Sequence, residues 1–285
     1  MKLIRFLHAN EIHTGVLNAH GVVTVTEINA RLGTKVPNDL LAIIQQSAAS
    51  QLTGIDELAS IPLSEIVPLV PYETPPKIWC IGLNYRSHAD DIQAVQPEEP
   101  GSFMKPASCM FRPEGEIILP PAEVSDDVDA EGELGVIIGR TCRFVPAENL
   151  QDVIFGYTTT LDLTALDVLR KNPRYLTRAK SIDTFFSFGP VVVTADEVHD
   201  VDSLEVITEH NDSICSRDFV RNMRARPFEL VRFHSDFMTL QPGDLISTGC
   251  PKGARIRAGD RVRARIDGIG TLGATVRQGI REPKF

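Results

Sequence analysis

The feature that most constrains this chain is how little helix separates its strands. From Lys77 onward, short runs rich in valine, isoleucine and threonine follow one another with only turns between most of them. Glu133 to Ile138, Ile154 to Leu161, Pro190 to Thr194, Leu204 to His210 and Val262 to Ile266 each read as strands. The last alternates cleanly: Val262, Ala264 and Ile266 share one face, and Arg261, Arg263 and Arg265 share the other. That is the pattern of a half-buried strand. Helical patterns are confined to about 85–93, 147–153 and 228–238. A doubly wound α/β fold needs a helix after nearly every strand, so the pattern argues against it, and a β-rich α+β fold is expected.

The first 72 residues read differently. Met1 to Leu7, Thr14 to Leu17 and Val22 to Ile28 suit short strands, with Gly15 and Gly21 at the turns. Pro37-Asn38-Asp39 then opens a helical stretch from Leu40 to Gln51. Five prolines follow, at 62, 68, 71, 75 and 76. Proline fixes φ and removes a donor, so this passage is extended and joins two units. With 285 residues available, the expected organisation is a small N-terminal α/β domain over 1–72 and a larger catalytic domain over 73–285.

Charge narrows the partners. A net charge of −9, from 38 acidic and 29 basic residues, opposes a phosphate-tracking surface, so no nucleic-acid partner is expected. The five cysteines (Cys80, Cys109, Cys142, Cys215, Cys250) are odd in number and none lies in C-x-x-C. This fits a reducing, cytoplasmic compartment without a disulfide framework. No run of eighteen apolar residues exists, and His8, Asn10 and Glu11 interrupt any signal-peptide core, so no membrane segment is expected. Gly268-Ile-Gly270-Thr-Leu-Gly273 matches a dinucleotide fingerprint letter by letter, but only twelve residues follow it and Ala274 to Val276 reads as a strand. A turn between two strands is the better reading.

Three groups of residues carry possible chemistry. In Glu131-Gly132-Glu133 both carboxylates point to one face of a strand. They lead into the apolar run Leu134 to Gly139, where paired acids repel unless a cation or proton intervenes. Asp162, at the end of another strand, offers a third carboxylate. Three carboxylates without a suitably spaced histidine suit Mg²⁺, Mn²⁺ or Ca²⁺ rather than zinc; a solvated strand face is the alternative. His88 and Asp91 stand three apart and face the same way on a helix. That spacing suits a general base and its orienting acid, and equally an incidental surface pair. Lys105 and Lys180 lie among apolar or small residues, where an ammonium group needs an anion or carbonyl partner.

Taken in order, these segments resemble the fumarylacetoacetate hydrolase family. The pieces are Gly82-Leu-Asn-Tyr85-x-x-His88, Phe103-Met-Lys105-Pro, Glu131-x-Glu133-Leu, Gly156-Tyr157 leading to Asp162, Lys180-Ser-x-Asp-Thr-Phe, Gly189-Pro190, and Pro242-Gly-Asp244 followed by Thr248-Gly249. They span about Lys77 to Val276.

The resemblance implies a mixed β-roll, a homodimer, and a small 2-oxo or dioxo acid as substrate. It implies Glu131, Glu133 and Asp162 as ligands of Mg²⁺ or Mn²⁺, with Ca²⁺ possible. It implies His88, Asp91 and Lys180 as catalytic residues, and Tyr85, Lys105, Thr248 and Gly249 on the substrate side. The stretch from His88 to about Pro100 falls on a segment that orders over substrate. The reaction implied first is hydrolysis of a carbon–carbon bond, with His88 and Asp91 activating water. Decarboxylation, isomerisation and hydration use the same enolate chemistry. A non-catalytic binding protein is a further possibility, against which the joint retention of Glu131, Glu133, Asp162, His88 and Lys180 speaks. Three positions depart from the family pattern: Leu166 stands where an arginine is common, Asp91 where a glutamate is, and Cys250 where a threonine is.

Overall fold

The structure, a computed structural model, describes residues 1–55, 58–91 and 93–281. The chain opens with strands β1 (Lys2–His8), β2 (Glu11–Asn18) and β3 (Gly21–Thr24), then helices α1 (Val25–Leu32) and α2 (Leu40–Gln45). There follow β4 (Val67–Pro68), β5 (Ile78–Gly82), α3 (Arg86–Asp91), β6 (Gly101–Lys105), β7 (Gly115–Leu119) and β8 (Val128–Ile138). The middle of the chain holds α4 (Leu150–Val153), β9 (Ile154–Ala165), α5 (Leu166–Lys171), α6 (Leu176–Lys180), β10 (Phe186–Phe188) and β11 (Val191–Thr194). Last come β12 (Glu205–His210), β13 (Ser213–Phe219), α7 (Pro227–Phe237), β14 (Leu245–Ser247), β15 (Ala254–Ile256), β16 (Arg261–Ile266) and β17 (Gly270–Gln278). The fold is β-rich α+β with mixed sheets, as expected.

Two sheets face each other. The larger runs β3-β2-β1-β11-β9-β8-β14-β5-β6, with β4, β10 and β15 attached beside that path. The smaller runs β13-β12-β16-β17-β7. β8 is buried at every position, because it lies in the middle of one sheet and against the other. Gly132 makes that approach possible: a Cβ there would sit 2.7 Å from Thr208 Oγ1 and 3.0 Å from Ala264 Cβ of the facing sheet. The Gly132 backbone N–H donates to Thr208 Oγ1 at 3.1 Å. The G-x-G-x-x-G stretch forms the turn and start of the β16–β17 hairpin.

The N-terminal residues continue the large sheet, since β1 pairs with β11 through Leu3 and Val192. One core cluster holds Leu3, Leu40 and Ile44 together with Ile78, Ile137, Phe188 and Leu245. Sheet and core therefore cross the boundary drawn near residue 72.

Two expectations are corrected. Val22 to Ile28 is not one strand, because the chain turns helical at Val25, where Thr24 Oγ1 accepts the Glu27 N–H at 3.1 Å. The helix expected over 40–51 ends at Gln45, and Ser47 adopts a left-handed backbone (φ 51°) before a short 3₁₀ turn. Ile92, within the helix expected over 85–93, lies outside the described residues. Among the described residues no helix is long and apolar enough to cross a membrane.

Candidate functional site

The β8–β9 ladder builds the acidic centre. Its register sets Glu131 opposite Asp162 and Glu133 opposite Thr160, so the two glutamates and Asp162 share one face. All three are buried, and one oxygen from each lies within 4.8 Å of the others. Lys180, at the end of α6, reaches Asp162 Oδ2 at 2.6 Å and Glu131 Oε2 at 3.0 Å. Lys105, at the end of β6, bonds Asp162 and the Leu163 carbonyl. Thr164 donates to Glu131. Ser247 donates to Glu133, and so does the Gly249 N–H at 2.9 Å.

Three carboxylates against two lysines leave one negative charge in excess. Burial, with Asp162 and Glu131 close by, pushes Glu133 up to about 8. A proton held on Glu133 by two neighbouring carboxylates is one that a bound cation could displace. The donor set is oxygen only and fits a hard divalent cation.

His88 stands across from this centre. β5 runs parallel to β14, which brings the chain after Gly82 alongside Thr248 and Gly249. Asn84 fixes that junction, donating to the Thr248 carbonyl at 2.7 Å and to the Ala225 carbonyl at 2.9 Å. Gly249 has φ +92°, and a Cβ on it would lie 2.9 Å from Asn84 Cβ. α3 then presents His88, of which 8% is exposed. A His88 ring nitrogen, Glu131 and Cys250 offer atoms within 4.8 Å of one another. Burial holds His88 below its ordinary 6.5, with Glu131 opposing, so the ring is neutral at pH 7.

His88, Glu131 and Lys180 open on a cavity of about 770 Å³, whose lining does not include Glu133 or Asp162. His88, Glu131, Lys180, Asp91 and Cys250 line it, with Thr164 and Asp129 beside them. Leu166, Leu169, Pro173 and Leu176 form an apolar wall, and Arg170 and Arg255 complete the rim. Both arginines pair with Asp127, and Arg255 Nε also reaches Asp129 at 2.7 Å. Gln93, Ala94 and Pro97, from the segment expected over 88–100, lie at the mouth.

Some sequence expectations are not met in this geometry. Asp91 does not orient His88: its carboxylate pairs with Lys252 at 2.8 Å, and His88 Nδ1 has no hydrogen-bond partner among the described residues. Tyr85 is off the cavity wall, fully buried in the core with Leu134 and Val136. It forms an isolated bridge with Met223, one residue ahead of α3. Thr248 is also fully buried, its hydroxyl spent on the Leu134 carbonyl at 2.9 Å. Gly249 and Lys105 serve the carboxylates.

Four contributors escaped sequence reading. Asp129 and Thr164 continue the two-residue alternation from Glu131 and Asp162, so strand periodicity could have flagged both. Ser247 and Arg255 arrive from distant strands and carry no local signal.

The two-sheet fold carries a buried carboxylate set able to hold a cation and a histidine beside it, and comparison with known proteins supplies the family. Residues 77–277 match the fumarylacetoacetate (FAA) hydrolase C-terminal family. The mitochondrial oxaloacetate tautomerase FAHD2A of Bos taurus is 31% identical over 287 residues, covering 95% of this chain and 90% of its own. Maleylpyruvate hydrolase from Sphingobium sp. SYK-6, solved with manganese(II) and pyruvate, superposes with a TM-score of 0.80 at 30% identity, over 98% of this chain and 100% of that one. A 2-hydroxyhepta-2,4-diene-1,7-dioate isomerase from Mycobacterium marinum does so with a TM-score of 0.76 at 30% identity, over 98% of both chains. The chain belongs to the fumarylacetoacetate hydrolase family.

Proposed function

We propose that this chain is a divalent-metal-dependent enzyme that moves a proton at the carbon beside the 2-oxo group of a small oxo acid, interconverting its tautomers or isomers. The observation that carries this reading is His88. It is buried, neutral, faces Glu131 across the cavity and is free of Asp91. A neutral imidazole can take a proton from carbon and return it to a neighbouring atom without activating water.

Glu131, Glu133 and Asp162 would hold Mg²⁺ or Mn²⁺, with Ca²⁺ a third candidate. When bound, such a cation polarises the carbonyl of a 2-oxo acid and acidifies the adjacent C–H. Lys180 steadies Glu131 and Asp162 and brings positive charge to the cavity wall. Lys105 sits behind Asp162 and supports it. The bovine tautomerase and the mycobacterial isomerase are relatives whose names fit this chemistry.

Hydrolysis of a carbon–carbon bond in a dioxo acid is the second reading, favoured by the likeness to maleylpyruvate hydrolase. It requires Asp91 to leave Lys252 and assist His88 in deprotonating water. Decarboxylation would use the same enolate without that water.

The apolar wall narrows the substrate. Leu166, Leu169 and Leu176 offer no partner to a charged group, and burying an unpaired carboxylate there is costly. With Arg170 and Arg255 already paired to Asp127, the distal end of the substrate is taken as neutral or apolar. The deciding experiment supplies the Mn²⁺-loaded protein with 2-oxo and 2,4-dioxo acids that differ only at the distal end. Exchange of the carbon-bound proton at unchanged mass supports the first reading. Two carbon fragments support the second, and released CO₂ identifies decarboxylation. Leu166→Arg should shift preference towards a distal carboxylate by roughly tenfold to a hundredfold in kcat/KM. A wild type that already prefers that carboxylate would refute the substrate class. A cytoplasmic homodimer completes the proposal, and sedimentation equilibrium tests the dimer.

A further inference from the structure

The cavity holds a second cluster of ligand atoms that the proposed reaction does not use as a set. A His88 ring nitrogen, a Glu131 oxygen and Cys250 Sγ lie within 4.8 Å of one another. All three residues are buried, with 8%, 5% and 2% of their surfaces exposed. They come from three separate elements: α3, β8 and the loop after β14. Their donors differ in kind from those of the neighbouring carboxylate set, being one nitrogen, one oxygen and one sulfur. His88 is more than nine-tenths buried, and its Nδ1 has no hydrogen-bond partner among the described residues.

We propose that His88, Glu131 and Cys250 form a second cation site, selective for zinc or a similarly thiophilic divalent ion, and overlapping the carboxylate site at Glu131. Zinc accepts imidazole, carboxylate and thiolate together, with three protein ligands and a fourth position left to solvent or a small anion. Mg²⁺ has no use for the sulfur or the imidazole. The two sites would thus sort cations by softness. Sharing Glu131 makes them antagonistic, so that filling one weakens the other.

Zinc at this place would also occupy His88. If His88 is the base proposed above, the ion inhibits by removing that base, and this half of the inference rests on that reading. The binding half does not. Cys250 then supplies a reason why this chain would sense a metal that the carboxylate set alone would not discriminate.

The test uses the full chain preloaded with Mg²⁺ and titrated with Co²⁺ as a spectroscopic stand-in for zinc. A thiolate-to-cobalt charge-transfer band should appear, saturate near one equivalent per chain and vanish when zinc is added. Cys250→Ser should abolish the band, whereas Cys215→Ser, altered outside the cavity, should keep it. Zinc X-ray absorption on the unaltered protein needs no variant. It should show one sulfur at about 2.3 Å with nitrogen or oxygen neighbours at about 2.0 to 2.2 Å. The zinc concentration for half-inhibition should rise about tenfold or more in Cys250→Ser. Absence of the band in the wild type, its persistence in Cys250→Ser, or zinc spectra without sulfur would overturn the site. A cobalt band that depends on Cys250 in a protein that turns over no oxo acid would leave the site standing while removing the proposed reaction. Turnover without a band would do the reverse.

Discussion

The two glutamates of the acidic centre do not share one protonation state at neutral pH. Burial alone would raise Glu131, but Lys180, His88 and the Thr164 hydroxyl outweigh it and pull it below its usual range. For Glu133 burial wins, with Asp162 and Glu131 adding to it, and the acid titrates at about 8. In the cation-free protein Glu133 therefore keeps its proton between its ordinary 4.5 and about 8, while the unfolded chain loses it. Across that window each rise in pH favours unfolding through this group, and the effect ends above about 8. A cation must displace the proton, so affinity should climb with pH towards 8 and level off beyond it. Calorimetry of Mn²⁺ binding at pH 7 in buffers of different ionisation enthalpy should reveal release of about one proton per ion. No release would contradict the assignment of Glu133. His88 shifts the opposite way, since burial lowers it from 6.5. Activity that depends on the neutral ring should fall only below pH 6.5, along an acid limb of kcat/KM. His88→Ala should lose roughly 10²–10⁴ in kcat and lose that limb too, and a variant that keeps both would end the role proposed for His88. Strand alternation and residue type made Glu131, Glu133, His88 and Lys180 candidates in the sequence, and only the ordered resemblance to the family set them above an incidental reading. The Asp91–Lys252 pair was not legible there, because 161 positions separate its members and no local pattern announces it.

Secondary structure was most legible where one periodicity ran unopposed. β16 alternates from Arg261 to Ile266 with every second residue buried, as its sequence predicts. α1 shows the contrary case. Its β-branched residues suggest strand, yet Thr24-x-x-Glu27 is a helix-start signature and Gly33 ends the helix in a left-handed conformation. The cap decided the outcome against β propensity, which is the weaker guide outside a packed sheet. Gly132 carries the corresponding lesson for β8. Its neighbours Glu131 and Glu133 share the face that meets Asp162, and Gly132 itself faces the other sheet at contact distance. Gly132→Ala should therefore cost about 1–3 kcal/mol as an overpacking change. It should also weaken Mn²⁺ binding, because the strand that carries two ligands must shift. Gly268→Ala is the control: φ there is +85° but nothing lies within 4 Å of the added carbon, so the cost is limited to backbone strain of about 1–2 kcal/mol. Urea melts and Mn²⁺ titrations of the two variants separate the effects. Equal loss of stability with intact metal binding in both would show that the sheets tolerate the extra methyl.

At the scale of the whole molecule, residues 1–72 and the rest share both a sheet and a core. Removing 1–72 would bare the edge of β11 and open the core cluster in which Ile137, Phe186 and Phe188 lie with Leu3 and Ile44. A protein beginning at residue 73 should express poorly, bind a hydrophobic dye and melt well below the full chain. A cooperative melt close to that of the full chain would show instead that 73–285 is self-sufficient. The placement of β14 was beyond sequence reading for the reason that makes it consequential: three residues wide, it lies between β8 and β5, antiparallel to one and parallel to the other. As the polypeptide leaves the ribosome, β5 and β8 emerge long before Leu245 does. Until then their facing edges have no permanent neighbour, and the nascent chain carries two unsatisfied strand edges through most of its own synthesis. The keystone is thus set last, so translation arrested short of residue 245 should yield a chain that chaperones hold and that no addition of Mn²⁺ can rescue, since Ser247 and Gly249, which steady Glu133, have not yet been made.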